Sequence, residues 1–313
     1  MVLDNPVIKA RNLYIGYEEE GGIRWALNGV NIAVPKSVAY CIVGESGSGK
    51  TTFGNAVAGL LPPYAITRGQ LEVYSTRVID DNKVYYGGIR GSVVVRIPQN
   101  PAASLNPYIK IGSIFIDVLK QRLGNISKVK ALEIAHEAIK TVGLSDDVLN
   151  KYPHQLSGGM SQRVAIALAM AIDPEIIVAD EPTSNLDAYL KGTTLNLLKG
   201  IVSRGKTLIV ITHDIIFASA LCSFMAVMLM GTVVEVGKTI EILSHPLHPY
   251  TKELMDAANL SFKNSGHTKY SRPRVDLKGC VYASRCPYRF ERCDNKPELH
   301  YINEFHGVAC WRP

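Results

Sequence analysis

The chain has 313 residues, of which 47% are hydrophobic and 20% are charged, and this balance excludes a disordered, collagenous or coiled-coil protein. The length suffices for one large domain with a full hydrophobic core, alone or with an appendage. Thirty-four basic and 28 acidic residues give a net charge of +6, which suits a nucleotide, a membrane surface or nucleic acid without choosing among them. Ten basic and five acidic residues follow position 260, so most of the surplus charge lies in a short tail.

The first eleven residues contain no apolar segment of the kind that a secretory signal peptide needs. The longest apolar stretch, residues 215–230, is shorter than the ~20 residues of a membrane-spanning helix. We expect it to form a buried helix that runs into a buried strand, and we expect a soluble, intracellular protein.

Apolar patterns predict strands and helices that alternate along the chain. In order they are strands at 7–14, 25–34 and 38–43, a helix at 51–60, a strand at 93–97, helical residues at 109–142, a helix at 162–172, and strands at 176–179 and 207–211. This alternation predicts an α/β fold with a mainly parallel sheet. The first two strands, joined by a turn at Gly21 and Gly22, predict an antiparallel subsheet beside it.

A glycine-rich segment between a predicted strand and a predicted helix fits the phosphate-loop pattern GxxxxGK[ST] in full. Its glycines allow successive backbone N–H groups to converge on phosphate oxygens, and the helix that follows adds its positive N-terminal end. Lys50 is expected to reach the β and γ phosphates of a nucleoside triphosphate, and the Thr51 hydroxyl to bind Mg²⁺. The segment consists of Gly44, Glu45, Ser46, Gly47, Ser48, Gly49, Lys50 and Thr51, and the predicted nucleotide contacts extend to Thr52.

Two acidic residues, Asp180 and Glu181, end the apolar run at 176–179, where α/β sheets place their ligands. We expect Asp180 to hold Mg²⁺ through water and Glu181 to orient and polarise the attacking water.

The segment Leu156-Ser157-Gly158-Gly159-Met160 begins another helix, with Ser157 as a candidate cap. Its glycines offer free N–H groups, so it could form a second phosphate site. An ordinary capped helix start has the same pattern.

Taken together, these motifs resemble the ATPase subunit of an ABC transporter, and the resemblance covers residues 7 to 257. The phosphate loop resembles the Walker A motif, residues 156–160 the signature usually written LSGGQ, residues 176–181 Walker B, and residues 184–187 the D-loop. Gln99 resembles the Q-loop glutamine and His213 the switch histidine. Met160 and Asn185 depart from the common residues, and neither change removes a catalytic group.

The resemblance implies that two such domains sandwich two ATP molecules. Ser157, Gly158 and Gly159 would then contact the γ-phosphate held by the partner subunit, and His213 the γ-phosphate of its own site. Gln99 would reach Mg²⁺ beside the docking point of a membrane subunit. Tyr17 is expected to stack on adenine, with nearby Tyr14 as the alternative. Glu181, His213 and Gln99 form the expected catalytic set.

The residues 245–252 and the Gln99 region also resemble the oligopeptide/dipeptide branch of these ATPases. In that branch the implied partners are a second ATPase, favoured as a different chain over a second copy, two transmembrane permease subunits and an extracytoplasmic binding protein. The expected location is the cytoplasmic face of the membrane, and the cargo is a dipeptide, oligopeptide, oligosaccharide or nickel. The rival interpretations are a soluble ABC ATPase acting on nucleic acid or ribosomes, and a non-catalytic scaffold with a redox-sensing tail.

Four cysteines in the tail, spaced C-x5-C-x6-C-x16-C, are the candidate metal ligands Cys280, Cys286, Cys293 and Cys310. Intracellular thiolates of this kind suit zinc or an iron–sulfur cluster, and the same spacing also permits disulfides or free thiols. The absence of close C-x2-C pairs favours a [4Fe–4S] cluster over zinc, and the family branch implies the same. Cys41 and Cys222 are expected to be buried hydrophobes.

The predicted organisation is therefore an ABC ATPase domain at 1–257, with a helical subdomain at about 101–173, and a cysteine-bearing tail at 258–313. Its expected cofactors are ATP, Mg²⁺ and the iron–sulfur cluster.

Overall fold

The structure is a computed structural model that describes residues 6–184, 186–260 and 278–312. Its strands are β1 (Ile8–Glu19), β2 (Gly22–Val34), β3 (Ala39–Val43), β4 (Ile66–Val73), β5 (Thr76–Asp80), β6 (Lys83–Val84), β7 (Val94–Ile97), β8 (Ile176–Asp180), β9 (Thr207–Thr212), β10 (Phe224–Leu229), β11 (Thr232–Lys238), β12 (His300–Tyr301) and β13 (Gly307–Val308). Its α-helices are α1 (Lys50–Ala58), α2 (Pro101–Ser104), α3 (Ile111–Leu123), α4 (Lys128–Thr141), α5 (Gly158–Ile172), α6 (Ala188–Ser203), α7 (Ile215–Leu221), α8 (Thr239–Ser244) and α9 (Pro249–Leu260). Short 3₁₀ helices lie at Asp146–Asn150, Pro153–Gln155 and Glu291–Asp294.

The chain divides into two compact units. The first unit contains Met1–Val57, Leu61–Tyr85 and Thr212–Pro313, and the second contains Ala58–Leu60 and Tyr86–Ile211. The predicted domain boundary after residue 257 stays a prediction.

An antiparallel sheet in the first unit has the strand order β2-β1-β4-β5-β6. The register of its first hairpin runs from Ile8 opposite Val34 to Glu19 opposite Gly22. Gly21 and Gly22 both have positive φ angles, 100° and 133°, in the turn between the strands. The antiparallel subsheet and its glycine turn are confirmed.

A second group of strands in the same unit carries the buried apolar runs. β3 pairs in parallel with β10, and β11 pairs antiparallel with β10 and with β13. The apolar stretch at 215–230 forms α7 followed by the buried strand β10, as its pattern predicts. Among the described residues, no helix has both the length and the apolar character needed to cross a bilayer.

The second unit contains the parallel strands β7, β8 and β9 and the helices α3 to α6. Residues 109–142, which the sequence predicts to be helical, form two helices, α3 and α4. Gly124, with a φ angle of 71°, ends α3, and the Ser127 hydroxyl caps α4 by accepting a hydrogen bond from Lys130 N. Ile116 and Leu119 of α3 then pack against Ala131 of α4. The α/β fold is confirmed in both units.

Cys41 and Cys222 are both buried, as expected, but they are not separate thiols. A disulfide joins them, linking β3 to the residue that follows α7. The expected burial is confirmed, and the disulfide is a covalent link that the sequence analysis did not predict.

A buried carboxylate attaches the residues after β11 to that strand. Glu235 on β11 is fully buried, and its oxygens accept hydrogen bonds from Leu247 N and His248 N, each at 2.9 Å. The same carboxylate lies 2.7 Å from Nε2 of His306, just before β13. Three hydrogen-bonding groups from two distant segments thus satisfy a group that is costly to bury alone.

His248 makes the stability of the first unit depend on pH. Burial lowers its pKa to about 4, while Glu235 opposes that shift. The unfolded histidine takes up a proton below about pH 6.5, and the folded one only near pH 4. We therefore expect the free energy of unfolding to fall by about 3 kcal/mol from this residue as the pH drops from 7 to 4.

The variant His248→Asn keeps an acceptor for the Tyr250 N–H group but does not titrate. Denaturant unfolding at pH 7 and pH 4.5 should show a smaller loss of stability in this variant than in the wild type. His245→Asn, at an exposed site where the imidazole contacts Ser244, is the matched control and should keep the wild-type pH dependence. An unchanged pH dependence in His248→Asn would contradict the assignment.

Candidate functional site

The phosphate loop lies between β3 and α1, and its shape requires glycine at two positions. Gly44 and Gly49 have φ angles of 149° and 95°. A Cβ atom at Gly44 would lie 2.1 Å from the Met228 carbonyl oxygen, and one at Gly49 would lie 2.4 Å from the Ala26 carbonyl oxygen. Both the backbone conformation and the surrounding backbone therefore exclude a side chain.

Backbone hydrogen bonds attach this loop to the turn after β10. Gly231 N donates to Ser48 O at 3.0 Å, and Gly231 O accepts from Asn28 N at 2.8 Å. β2 and the turn between β10 and β11 therefore hold the loop in place.

Lys50 is folded back over its own loop. Its Nζ donates to the carbonyl oxygens of Gly44 and Glu45, each at 2.8 Å, and only 6% of the residue is exposed. A buried ammonium, a glycine-dependent backbone and the start of α1 fit the phosphates of a nucleoside triphosphate. The loop is thus suited to a nucleoside triphosphate by its chemistry and its shape.

Tyr17 lies close to the Thr52 side chain, beside the end of the phosphate loop. Burial raises the pKa of its hydroxyl. Its ring meets Tyr64 edge-on at 6.2 Å. Tyr14, the alternative adenine-stacking residue, packs instead against Trp25, with ring centroids 5.6 Å apart. The geometry therefore favours Tyr17 as the aromatic residue beside the loop.

His213 is exposed immediately after β9. Its position is set by the start of α7, where Asp214 Oδ1 accepts from Phe217 N at 2.9 Å. Asp214 N in turn donates to the Thr212 hydroxyl at 3.0 Å.

In the second unit, the carboxyl end of β8 carries the two predicted acids. Asp180 is 1% exposed and its carboxylate pairs with Arg96 of β7, Oδ2 to Nη2, at 2.6 Å. Glu181 has a φ angle of 46°, and its N–H donates to Ile211 O at 2.8 Å. A left-handed conformation is unfavourable for glutamate, so the surrounding structure imposes it.

Arg96 was not among the residues that the sequence placed at the site. The available signal was a single cation in the otherwise apolar run Val93-Val94-Val95-Arg96-Ile97, three residues before Gln99. Gln99 itself is exposed after β7, and Asn100 next to it caps α2.

The predicted signature segment forms the start of α5. The Ser157 hydroxyl caps the helix by accepting from Met160 N at 3.3 Å. Ser157 and Gly158 are exposed, whereas Gly159 is buried and an added Cβ would lie 2.6 Å from Leu190 Cδ1. The first glycine therefore leaves the helix end open, and the second allows α6 to approach. Asn185 of the predicted D-loop lies outside the described residues.

The four tail cysteines are free thiols that line one small cavity of about 20 Å³. Burial raises the pKa of the Cys280 and Cys310 thiols. A cavity of this volume holds about one water molecule. Within residues 6–184, 186–260 and 278–312, no cluster of His, Cys, Asp or Glu side chains is arranged to hold a metal ion.

The predicted [4Fe–4S] cluster at Cys280, Cys286, Cys293 and Cys310 is therefore wrong, and the zinc alternative fails for the same reason. The arginines among residues 278–312 contact other groups. These contacts are Arg285 with Glu45 and Glu253, Arg289 with Asp294, Arg292 with Trp311, and Arg312 with Tyr288.

Comparisons with known proteins show the family of the chain. Residues 27–184 match the ABC transporter family, and residues 234–293 match the C-terminal region of oligopeptide/dipeptide transporters. The chain is 34% identical to the dipeptide transport ATP-binding protein DppD of Bacillus subtilis, covering 97% of this chain and 94% of that protein. It is also 34% identical to the oligopeptide transport ATP-binding protein OppD of Haemophilus influenzae, covering 98% and 97%.

A solved structure of the ATP-binding cassette MJ0796, a dimer in a post-hydrolysis state bound to ADP and Pi, has a similar fold. The TM-score is 0.67 at 30% identity, covering 74% of this chain and 98% of that one. The family match extends over half of the chain, and the two transport proteins align with nearly all of it. The chain therefore belongs to the ABC transporter family, as an ATP-hydrolysing subunit.

Proposed function

We propose that this chain hydrolyses ATP to drive the import of oligopeptides or dipeptides by a membrane ABC importer. The observation that carries the proposal is the phosphate loop, with its glycine-dependent backbone and buried lysine. The names of the dipeptide and oligopeptide relatives support the substrate class. The match of residues 234–293 to the C-terminal region of such transporters supports it from another part of the chain.

ATP with Mg²⁺ supplies the phosphoanhydride bond that is cleaved and the cation that neutralises its phosphates. In this proposal the backbone N–H groups of residues 44–52 bind the phosphates, and Lys50 contacts the β and γ phosphates. The Thr51 hydroxyl and Gln99 hold the Mg²⁺ ion, and the Tyr17 ring stacks on adenine. The position of Tyr17 close to Thr52, at the end of the phosphate loop, supports the last role.

Hydrolysis is assigned to groups at the ends of the strands. Glu181 orients and polarises the attacking water, and His213 contacts the γ-phosphate. Asp180 holds Mg²⁺ through water. The Asp180 carboxylate also pairs with Arg96 at 2.6 Å, so the guanidinium and the water on the cation would share it.

The partner in this proposal is a second, related ATPase rather than a second copy. Ser157, Gly158, Gly159 and Met160 would contact the nucleotide on the phosphate loop of that partner. The exposed start of α5 supports this role, because a capped helix with an open glycine presents N–H groups outward. The solved cassette with the similar fold is itself a dimer.

Two transmembrane permease subunits and an extracytoplasmic binding protein complete the proposed importer. The chain would then lie at the cytoplasmic face of the membrane, bound through the permeases. The dipeptide and oligopeptide transport relatives support this assembly.

Replacing the first loop glycine tests the nucleotide site. Gly44→Ala places a Cβ against the Met228 carbonyl and forces alanine to a φ angle of 149°, so the loop must move. We expect ATP affinity to fall at least about tenfold, measured with a fluorescent ATP analogue. Gly87→Ala, which meets open space at an ordinary φ, is the control and should bind normally. Melting temperatures establish that both variants fold, and normal ATP binding by folded Gly44→Ala would contradict the site.

Replacing the proposed water-orienting residue separates binding from chemistry. Glu181→Gln keeps the size of the side chain and removes its charge, so kcat for ATP hydrolysis should fall at least about 100-fold. The Kd for ATP should stay within about threefold of the wild-type value, because Glu181 acts on water rather than on the nucleotide. Hydrolysis at the wild-type rate would refute this role.

Purification of the chain from the membranes of cells that make it tests the assembly. Mass spectrometry of the complex in mild detergent should identify two polytopic membrane proteins and a second, different ATPase. Recovery of RNA, DNA or ribosomal proteins instead would support the rival class of soluble ABC ATPases. Recovery of two copies of this chain with the permeases would refute the heterodimer.

A further inference from the structure

The residues after β11 contact the phosphate loop at its second position, Glu45. The Glu45 backbone N–H donates to the Tyr250 hydroxyl at 3.0 Å. Tyr250 is fully buried in the first turn of α9, so its ring cannot move away without opening the packing around it. A residue more than 200 positions away in the sequence thus fixes the main chain of the loop.

A second contact holds the Glu45 side chain. Arg285 Nη1 lies 2.8 Å from Glu45 Oε1, and Arg285 Nη2 lies 2.5 Å from Glu253 Oε1 on α9. The arginine side chain is only 16% exposed, whereas the Glu45 side chain is 43% exposed, so solvent screens the pair between them in part. The Tyr282 hydroxyl also hydrogen-bonds to Glu253, which orients that carboxylate.

These contacts lead directly to the loop lysine. The carbonyl oxygen of Glu45 accepts a hydrogen bond from Lys50 Nζ at 2.8 Å. Three groups of Glu45 therefore have partners. Its backbone N–H bonds to Tyr250, its carboxylate pairs with Arg285, and its carbonyl oxygen accepts from Lys50. Three side chains fix one residue of the loop that binds phosphate.

The charge of Glu45 gives Arg285 a further effect. A carboxylate on the phosphate loop repels a triphosphate, and this repulsion grows when the carboxylate has no cation beside it. Arg285 supplies that cation. Its loss should therefore weaken the binding of charged nucleotides and leave the binding of uncharged adenosine unchanged.

We propose that Tyr250 and Arg285 are positioning residues that fix Glu45 and neutralise its charge, so that the phosphate loop is preorganised for ATP. The inference rests on the proposed function, since it requires ATP to bind at residues 44–51. It assigns the segment after β11 a direct role in nucleotide affinity.

The test compares Arg285→Met with wild type by titration with a fluorescent ATP analogue and with adenosine. Arg285→Met should raise the Kd for ATP about tenfold, as expected for loss of a charge-assisted hydrogen bond, with adenosine affinity unchanged. The ATP penalty should shrink as salt is raised from about 0.05 to about 0.5 M, because the repulsion is screened. In steady-state hydrolysis, KM should rise while kcat stays within about twofold.

Removing the repelling charge should reverse the defect. The double variant Glu45→Gln with Arg285→Met should bind ATP within about threefold of Glu45→Gln alone. Arg285→Lys keeps the positive charge and should restore part of the lost affinity. Tyr250→Phe removes one neutral hydrogen-bond acceptor and should raise the Kd for ATP about threefold.

The matched control is Arg289→Met, which removes a guanidinium four residues away whose partner is Asp294. It should bind ATP as the wild type does. Wild-type ATP binding by folded Arg285→Met, or an equal loss of ATP and adenosine affinity, would overturn the positioning role. Failure of the wild-type protein itself to bind ATP would instead overturn the proposed function.

Discussion

The close approach of backbone to backbone around the phosphate loop is the constraint on which the site depends. Carbonyl groups of Met228 and Ala26 occupy the space that side chains at Gly44 and Gly49 would need. β2 and β10 must therefore both be in place before the loop can take its shape. Lys50 is then held by carbonyl groups of the same loop. The nucleotide site is thus a consequence of how the strands of the first unit pack, not of the octapeptide alone.

The residues after β11 are part of that packing. The fully buried carboxylate of Glu235, on β11, hydrogen-bonds to the backbone of residues 247–248 and to the His306 side chain. Arg285 and Tyr250 extend the attachment to the phosphate loop. A segment that composition describes as a basic tail therefore contributes to the core of the first unit and to the surroundings of its nucleotide site.

The charge and the cysteines of the tail illustrate why a pattern can predict the wrong chemistry. When only the sequence is considered, four thiols with suitable spacing beside an excess of arginine are compatible with a metal cluster. In the fold the thiols surround a space of about one water molecule, and Arg285 pairs with two glutamates outside it. Spacing specifies which residues are available, whereas cavity size and ion pairing depend on segments far away in the sequence.

Local sequence determined the parts of this protein that short segments encode: the glycine loop, the capped start of α5, the acids after β8, and the alternation that specifies an α/β fold. These follow from backbone freedom, capping and periodicity, which act within a few residues. The break between α3 and α4 is also encoded locally, by Gly124 and Ser127. Only the tertiary structure decided three sets of contacts. They are the ion pair between Arg96 and Asp180, the disulfide between Cys41 and Cys222, and the contacts of Arg285 and Tyr250 with Glu45. Each joins residues distant in the chain, and such contacts depend on how buried elements pack together rather than on any local propensity.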